Sequence, residues 1–265
     1  MSNNNNLTPP PPWPDLIQKI RARTPARIFV DRGSSYSTQM ELDLRAAHAN
    51  AVDAVWEEFD VQKIFPPGFV ERWNLFQLST QAESKSQFLL RPDRGRKLSD
   101  SAASEINKRC PKSPDIQIVI GDGLSVAAIS AQVPALLPLL HQHARAHAWT
   151  IGQSFAVRYC RVGIMNNIGD LLSPRILILL IGERPGLATA ESLSAYMAYK
   201  PCSGHTDANR NLISNIHARG VPPVEAAHRI TNLASRMLLA QISGTSLKEE
   251  TTWSPQIERN VSNRS

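Results

Sequence analysis

The stretch Ile176-Leu-Ile-Leu-Leu-Ile-Gly-Glu-Arg-Pro-Gly-Leu-Ala-Thr-Ala-Glu-Ser-Leu-Ser-Ala-Tyr196 opens with six apolar residues, turns through a charged Gly/Pro segment and continues with helical composition. A short apolar run bounded by turn residues fits a strand covered on both faces, as in a parallel sheet. The expected order is buried strand, loop, helix. Gly182, Glu183, Arg184, Pro185 and Gly186 would then lie at the carboxyl end of that strand. In open α/β sheets ligands bind at that rim, where loops gather and helix N-termini point.

Outward from this stretch the same alternation recurs. Residues 116–120 read as a buried strand, Gly121-Asp122-Gly123 as a tight turn, and Ser125 as the cap of a helix over 126–148 that Pro134 and Pro138 should break or restart. Further strands are expected at 155–159, 176–181 and 212–216. A last helix should open at the prolines Pro222 and Pro223 and end at Gly244. Strands alternating with helices imply a parallel sheet with right-handed crossovers. The expected fold class is α/β, a Rossmann-like parallel-sheet domain over 113–244, preceded by a smaller, mostly helical region over 25–112.

Within that first region, apolar positions from Met40 to Phe59 follow a helical stripe, residues 76–90 read as extended, and 99–109 read as a helix capped by Ser99 or Asp100. Residues 1–24 begin with asparagines and a run of prolines broken by Trp13, a composition that cannot bury apolar surface. They are expected to be disordered or to serve as a targeting segment, with a short amphipathic patch at 15–22. The polar tail over 245–265 is expected to be solvated rather than folded.

Bulk composition narrows the classes. With 42% hydrophobic and 20% charged residues the chain is of ordinary globular type. The formal charge of +6 is spread out, and its densest patch, Arg91 to Lys97, contains Asp93, so nucleic-acid binding is not expected. Three cysteines without CxxC spacing support neither a disulfide framework nor a zinc site, and a reducing compartment fits. No run approaches the roughly 18 apolar residues of a membrane span.

The motifs themselves carry a resemblance. The run from Ile181 to Tyr199, with Ile118-Val-Ile-Gly-Asp-Gly-Leu-Ser125, Val157-Arg-Tyr-Cys-Arg-Val-Gly-Ile164, Asn211-Leu-Ile-Ser-Asn-Ile-His217 and Val221-Pro-Pro-Val-Glu-Ala-Ala227, closely resembles the small (light) subunit of ethanolamine ammonia-lyase over about residues 114–244. That resemblance implies an adenosylcobalamin-dependent lyase converting ethanolamine to acetaldehyde and ammonia by radical chemistry, active only with a large subunit. It implies base-on cobalamin at the subunit interface, ethanolamine bound by the partner, and no catalytic residue in this chain. It further implies encapsulation in a bacterial microcompartment, otherwise a cytoplasmic enzyme. The sequence departs from the family at Asp31-Arg-Gly-Ser-Ser35, where members usually carry a Gly-Arg-x-Gly loop.

Carried onto this chain, the family's cofactor contacts fall on Val162, Glu183 and Leu212. Some members have cysteine at the third position; leucine preserves a backbone contact and loses a sulfur one. A glutamate ending an apolar strand is costly unless paired, and its structural alternative is an ion pair with Arg184 or Arg161. Val162 has simple packing as its alternative. Arg184 suits either a phosphate clamp or a bridge to the partner. His141, His143 and His147 share a helix without an evident third ligand, so exposed solubilising histidines are expected rather than a metal site. Two other functions are compatible with such a fold. A nucleotide-binding oxidoreductase should show a GxGxxG fingerprint, which Gly121-Asp122-Gly123 is not, and a non-catalytic structural partner would leave cobalamin untouched.

Overall fold

A computed structural model describes residues 38–187 and 189–249. The expectations for residues 1–24, for the 31–35 loop and for the chain beyond 249 lie outside the described residues. Helices α1 (Thr38–Trp56), α2 (Val61–Ile64) and α3 (Phe69–Arg72) lead to strand β1 (Gln77–Ser79), and α4 (Lys85–Leu90) and α5 (Asp100–Arg109) follow. Then come β2 (Ile116–Gly121), α6 (Val126–Ala146), β3 (Phe155–Arg158), α7 (Ile164–Leu172) and β4 (Ile176–Gly182). The chain continues with β5 (Leu193–Tyr199), β6 (Asn211–Ile216) and α8 (Pro223–Ala240). Residues 76–90 are extended only at β1 and turn helical at α4, where Ser84 accepts from the Gln87 amide.

The strands form one mixed sheet in the order β1-β3-β2-β4-β5-β6. β1, β3, β2 and β4 are mutually parallel. β5 is antiparallel to both β4 and β6. The expectation of an all-parallel sheet therefore fails at β5, because the segment after Pro185 and Gly186 is a hairpin return instead of a crossover helix. The alternation explains why. Leu193, Ala195, Met197 and Tyr199 join one core while Tyr196 and Ala198 lie against the other, a period of two. Leucine, alanine and serine serve helix or strand, so composition alone misreads the segment.

Two cores flank the sheet. Ile118, Ile120, Ile178 and Leu180 pack against Val133, Leu136 and Leu137 of α6 and Ile230 and Leu233 of α8. On the other face Val119, Val157, Leu177 and Leu179 pack against Ile106 of α5 and Ile164 and Ile168 of α7. Pro134 and Pro138 do not break α6, which runs unbroken from Val126 to Ala146 with Ser125 capping it through the Ala128 amide. Each interior proline costs about 3 kcal/mol. Burial of Ile129, Val133, Leu136, Leu137 and Leu140, about 1.5–3 kcal/mol apiece, outweighs this.

The last helix ends before Gly244. Gln241 takes the left-handed cap at φ 57°, and Gly244 begins a further turn. The first residues of the tail are folded, contrary to expectation. Leu247 is buried, its carbonyl accepts from Asn211 Nδ2 at 2.6 Å, and Glu249 pairs with Arg229 at 2.6 Å. Among the described residues no helix is long and apolar enough to cross a membrane.

Candidate functional site

β5 and β6 reach beyond the helical cover of one sheet face. In β6, Ile213 and Ile216 are buried while Leu212, Ser214 and Asn215 are exposed. That open face, closed at one side by the strand-end loops, forms a cavity of about 320 Å³. Ile181, Ser194, Tyr196, Leu212 and Ser214 line it from the sheet. Gly123-Leu124, Cys160 to Val162 and Glu183-Arg184 line it from the loops. Val162, Glu183 and Leu212, distant in sequence, thus meet at one concavity. The loop 217–220, which follows β6, takes no part in this lining.

The loop after β3 is held from below by Asp122. Its carboxylate is fully buried and accepts from the Tyr159 amide at 2.8 Å and the Cys160 amide at 2.7 Å. Burial pushes this carboxyl up to about 6, against the opposing pull of the amide donors. Tyr159 sits at φ 59°, a left-handed conformation that turns the chain so that Arg161 and Val162 enter the cavity. Asp122 does not line the cavity. It positions residues that do.

Glu183 forms neither of the ion pairs considered from sequence. Its Oε1 accepts from Ser194 Oγ at 2.6 Å and the Asn215 amide at 2.9 Å, and its Oε2 accepts from Ser192 Oγ at 2.7 Å. One carboxylate thereby ties the β4 loop to β5 and β6. A carboxylate offers about four acceptor positions, so Oε2 can still accept from a ligand donor. Of the cavity polar groups that sequence reasoning missed, Ser194, Tyr196 and Ser214, the first two would have been found by reading 193–199 with a period of two.

The histidine expectation needs correction for two of three. His141 is half-buried against the Trp73 ring, 4.5 Å between centroids, and contacts Ser154 Oγ at 3.3 Å. His143 lies tilted against His228, 4.7 Å between ring centroids, and meets Thr231 Oγ1 at 2.9 Å. They are packing residues, because α6 presents this face to its neighbours. His147 is exposed. No group of three metal-ligating side chains occurs among the described residues.

Burial first, then the Arg145 charge, lowers His141 from 6.5 to about 4. The unfolded chain therefore takes up this proton before the folded one. The His141 contribution to stability is intact above about pH 6.5 and is lost as pH falls towards 4. Asp122, raised from 3.8 to about 6, acts with the opposite sign in an overlapping window. Comparison of urea unfolding of the wild type and His141→Gln between pH 7 and 4.5 isolates the histidine. The wild type should lose stability relative to the variant on acidification, and parallel curves would refute the assignment.

Fold and cavity define a class: an open-sheet α/β protein whose candidate site opens beside the carboxyl ends of its parallel strands. The profile of the family described as "Ethanolamine ammonia-lyase light chain (EutC)" matches residues 14–248. An ethanolamine ammonia-lyase small subunit of Clostridium perfringens is 40% identical over 231 residues, covering 87% of this chain and 76% of the relative. One from Clostridium acetobutylicum is 37% identical over 233 residues, covering 88% and 94% respectively. One from Listeria monocytogenes is 40% identical over 243 residues, covering 91% and 81%. The chain belongs to the ethanolamine ammonia-lyase small-subunit, or light-chain, family.

Proposed function

We propose that this chain is the small subunit of an ethanolamine ammonia-lyase and that Val162, Glu183 and Leu212 contribute to an adenosylcobalamin site completed by a large subunit, which binds ethanolamine. The observation that carries this reading is the convergence of those three residues on one cavity. The residues present fit the cofactor. Corrin is an apolar macrocycle ringed by amides, and Leu124, Val162, Ile181 and Leu212 would offer it apolar surface. Its amide N–H groups would find an acceptor in Glu183, whose Oε2 has room for one more donor, and hydroxyls in Ser214 and Tyr196.

When bound, the cofactor supplies the radical chemistry. The chain's own part would be binding, orientation and exclusion of water. No acid or base for the substrate is assigned to it. Residues 1–24 are the segment through which such an enzyme would be directed to a microcompartment.

Co-expression with the large subunit tests the reading through acetaldehyde formation and the cobalamin absorption spectrum. Turnover should require both chains and adenosylcobalamin, and turnover by this chain alone would refute the proposal. Glu183→Ala in the reconstituted complex should weaken cobalamin binding about tenfold, equivalent to about 1.4 kcal/mol. An unchanged affinity would remove Glu183 from the site.

A further inference from the structure

A second cavity, about 860 Å³, adjoins the first, and Arg161, Val162 and Tyr196 line both. Arg161 is only partly exposed, its guanidinium lies 4.3 Å from the Phe88 ring centre, and its Nη2 donates to the Phe88 carbonyl at 3.3 Å. Its Nε is buried and has no hydrogen-bond partner. Four other partly buried arginines each hold a carboxylate: Arg158 with Glu58, Arg175 with Asp115, Arg210 with Asp207 and Arg229 with Glu249. Arg161 has no carboxylate partner among the described residues. A desolvated guanidinium left in this way is expensive unless an anion offsets it.

The surroundings add to that cost. Arg96 and Lys97 line the larger cavity and Arg184 the smaller. Burial, then the Arg184 charge, depresses the Arg161 pKa; the Asp122 carboxylate offsets part of this and Arg96 adds to it. The cation–π contact with Phe88 and the bond to its carbonyl make use of the charge but do not neutralise it. A planar guanidinium that lines both cavities is suited to two oxygens of one tetrahedral anion.

We propose that Arg161, with Arg96 and Arg184 beside it, forms an anion subsite for a phosphate group. The occupant assigned to it in the assembled enzyme is the phosphodiester in the nucleotide loop of cobalamin, an assignment that rests on the cofactor reading above. The phosphodiester is the anionic group of that otherwise amide-covered molecule, and Arg161 stands in the wall between the cavity holding Glu183 and the more cationic one.

The test uses the complex with the large subunit and two corrinoids, followed by corrin absorption: cobalamin, and cobinamide, which lacks the nucleotide loop and its phosphate. Arg161→Gln should weaken cobalamin about 10- to 100-fold and leave cobinamide within about twofold, while Arg161→Lys recovers part of the loss. Equal weakening of both corrinoids, or of neither, overturns the assignment. Inorganic phosphate distinguishes the source. Phosphate binding that disappears in Arg161→Gln and on saturation with cobalamin supports the nucleotide loop. Binding that persists beside cobalamin shows a separate phosphate site and overturns it. Should the wild-type complex fail to take up cobalamin at all, the cofactor reading falls, and the phosphate titration alone decides the subsite: loss of binding in Arg161→Gln sustains it, and no binding by the wild type overturns it.

Discussion

Asp122→Ala should lower the stability of the fold by about 2–4 kcal/mol, although the residue makes no contact with either cavity. The substitution leaves the Tyr159 and Cys160 amides buried without an acceptor, at about 1–3 kcal/mol each. Relief of the buried charge returns part of that loss. It also releases the left-handed turn at Tyr159. The milder change Asp122→Asn keeps one acceptor oxygen but turns an NH2 group towards the other amide, so about half the loss is expected. Chemical denaturation measures both. A variant within about 0.5 kcal/mol of wild type, the scatter of an indifferent surface change, would show that the loop stands without this anchor. Cobalamin affinity in the reconstituted complex should fall alongside stability, since Arg161 and Val162 are displaced together.

The second large effect concerns Gly182. A Cβ there would lie 2.1 Å from the Ser125 carbonyl oxygen and 2.7 Å from that of Asp122, both backbone atoms of the β2–α6 turn. Gly123 faces it across the same gap at φ 57°, and the Leu124 amide donates to the Gly182 carbonyl at 3.1 Å. Neither side can retreat without moving a sheet strand or a helix start. Gly182→Ala should therefore cost about 3 kcal/mol or more, lowering the melting temperature by roughly 10 °C. Gly186→Ala, four residues on, meets nothing within 4 Å and should be close to neutral. Equal melting temperatures for the two variants would remove close packing as the reason for the glycine.

Residues 116–121 and 176–182 were legible as strands because both faces are buried, leaving apolar runs without interruption. The Ser99 and Ser125 caps were legible because a serine oxygen placed before a helix satisfies an amide three residues on. The reversal at β5 was not legible. Ser194 and Ala195 carry no bulk that distinguishes a period of two from one of 3.6. The continuity of α6 was hidden for another reason: local proline chemistry argues for a break, and only tertiary burial overrides it. At the candidate site, the positions of Val162, Glu183 and Leu212 came from motif resemblance. The serines that hold Glu183 required the hairpin to be known first, since it is the return of β5 that brings Ser192 and Ser194 alongside.

That hairpin return has one more effect. A crossover helix after β4 would have roofed the ground on which Leu212, Ser214 and Tyr196 stand. Since it is the path of the main chain that keeps this ground bare, the depth of the hollow does not hinge on the bulk of any single side chain in its floor. Leucine at 212, where some members of the family carry cysteine, can then be accepted without filling it.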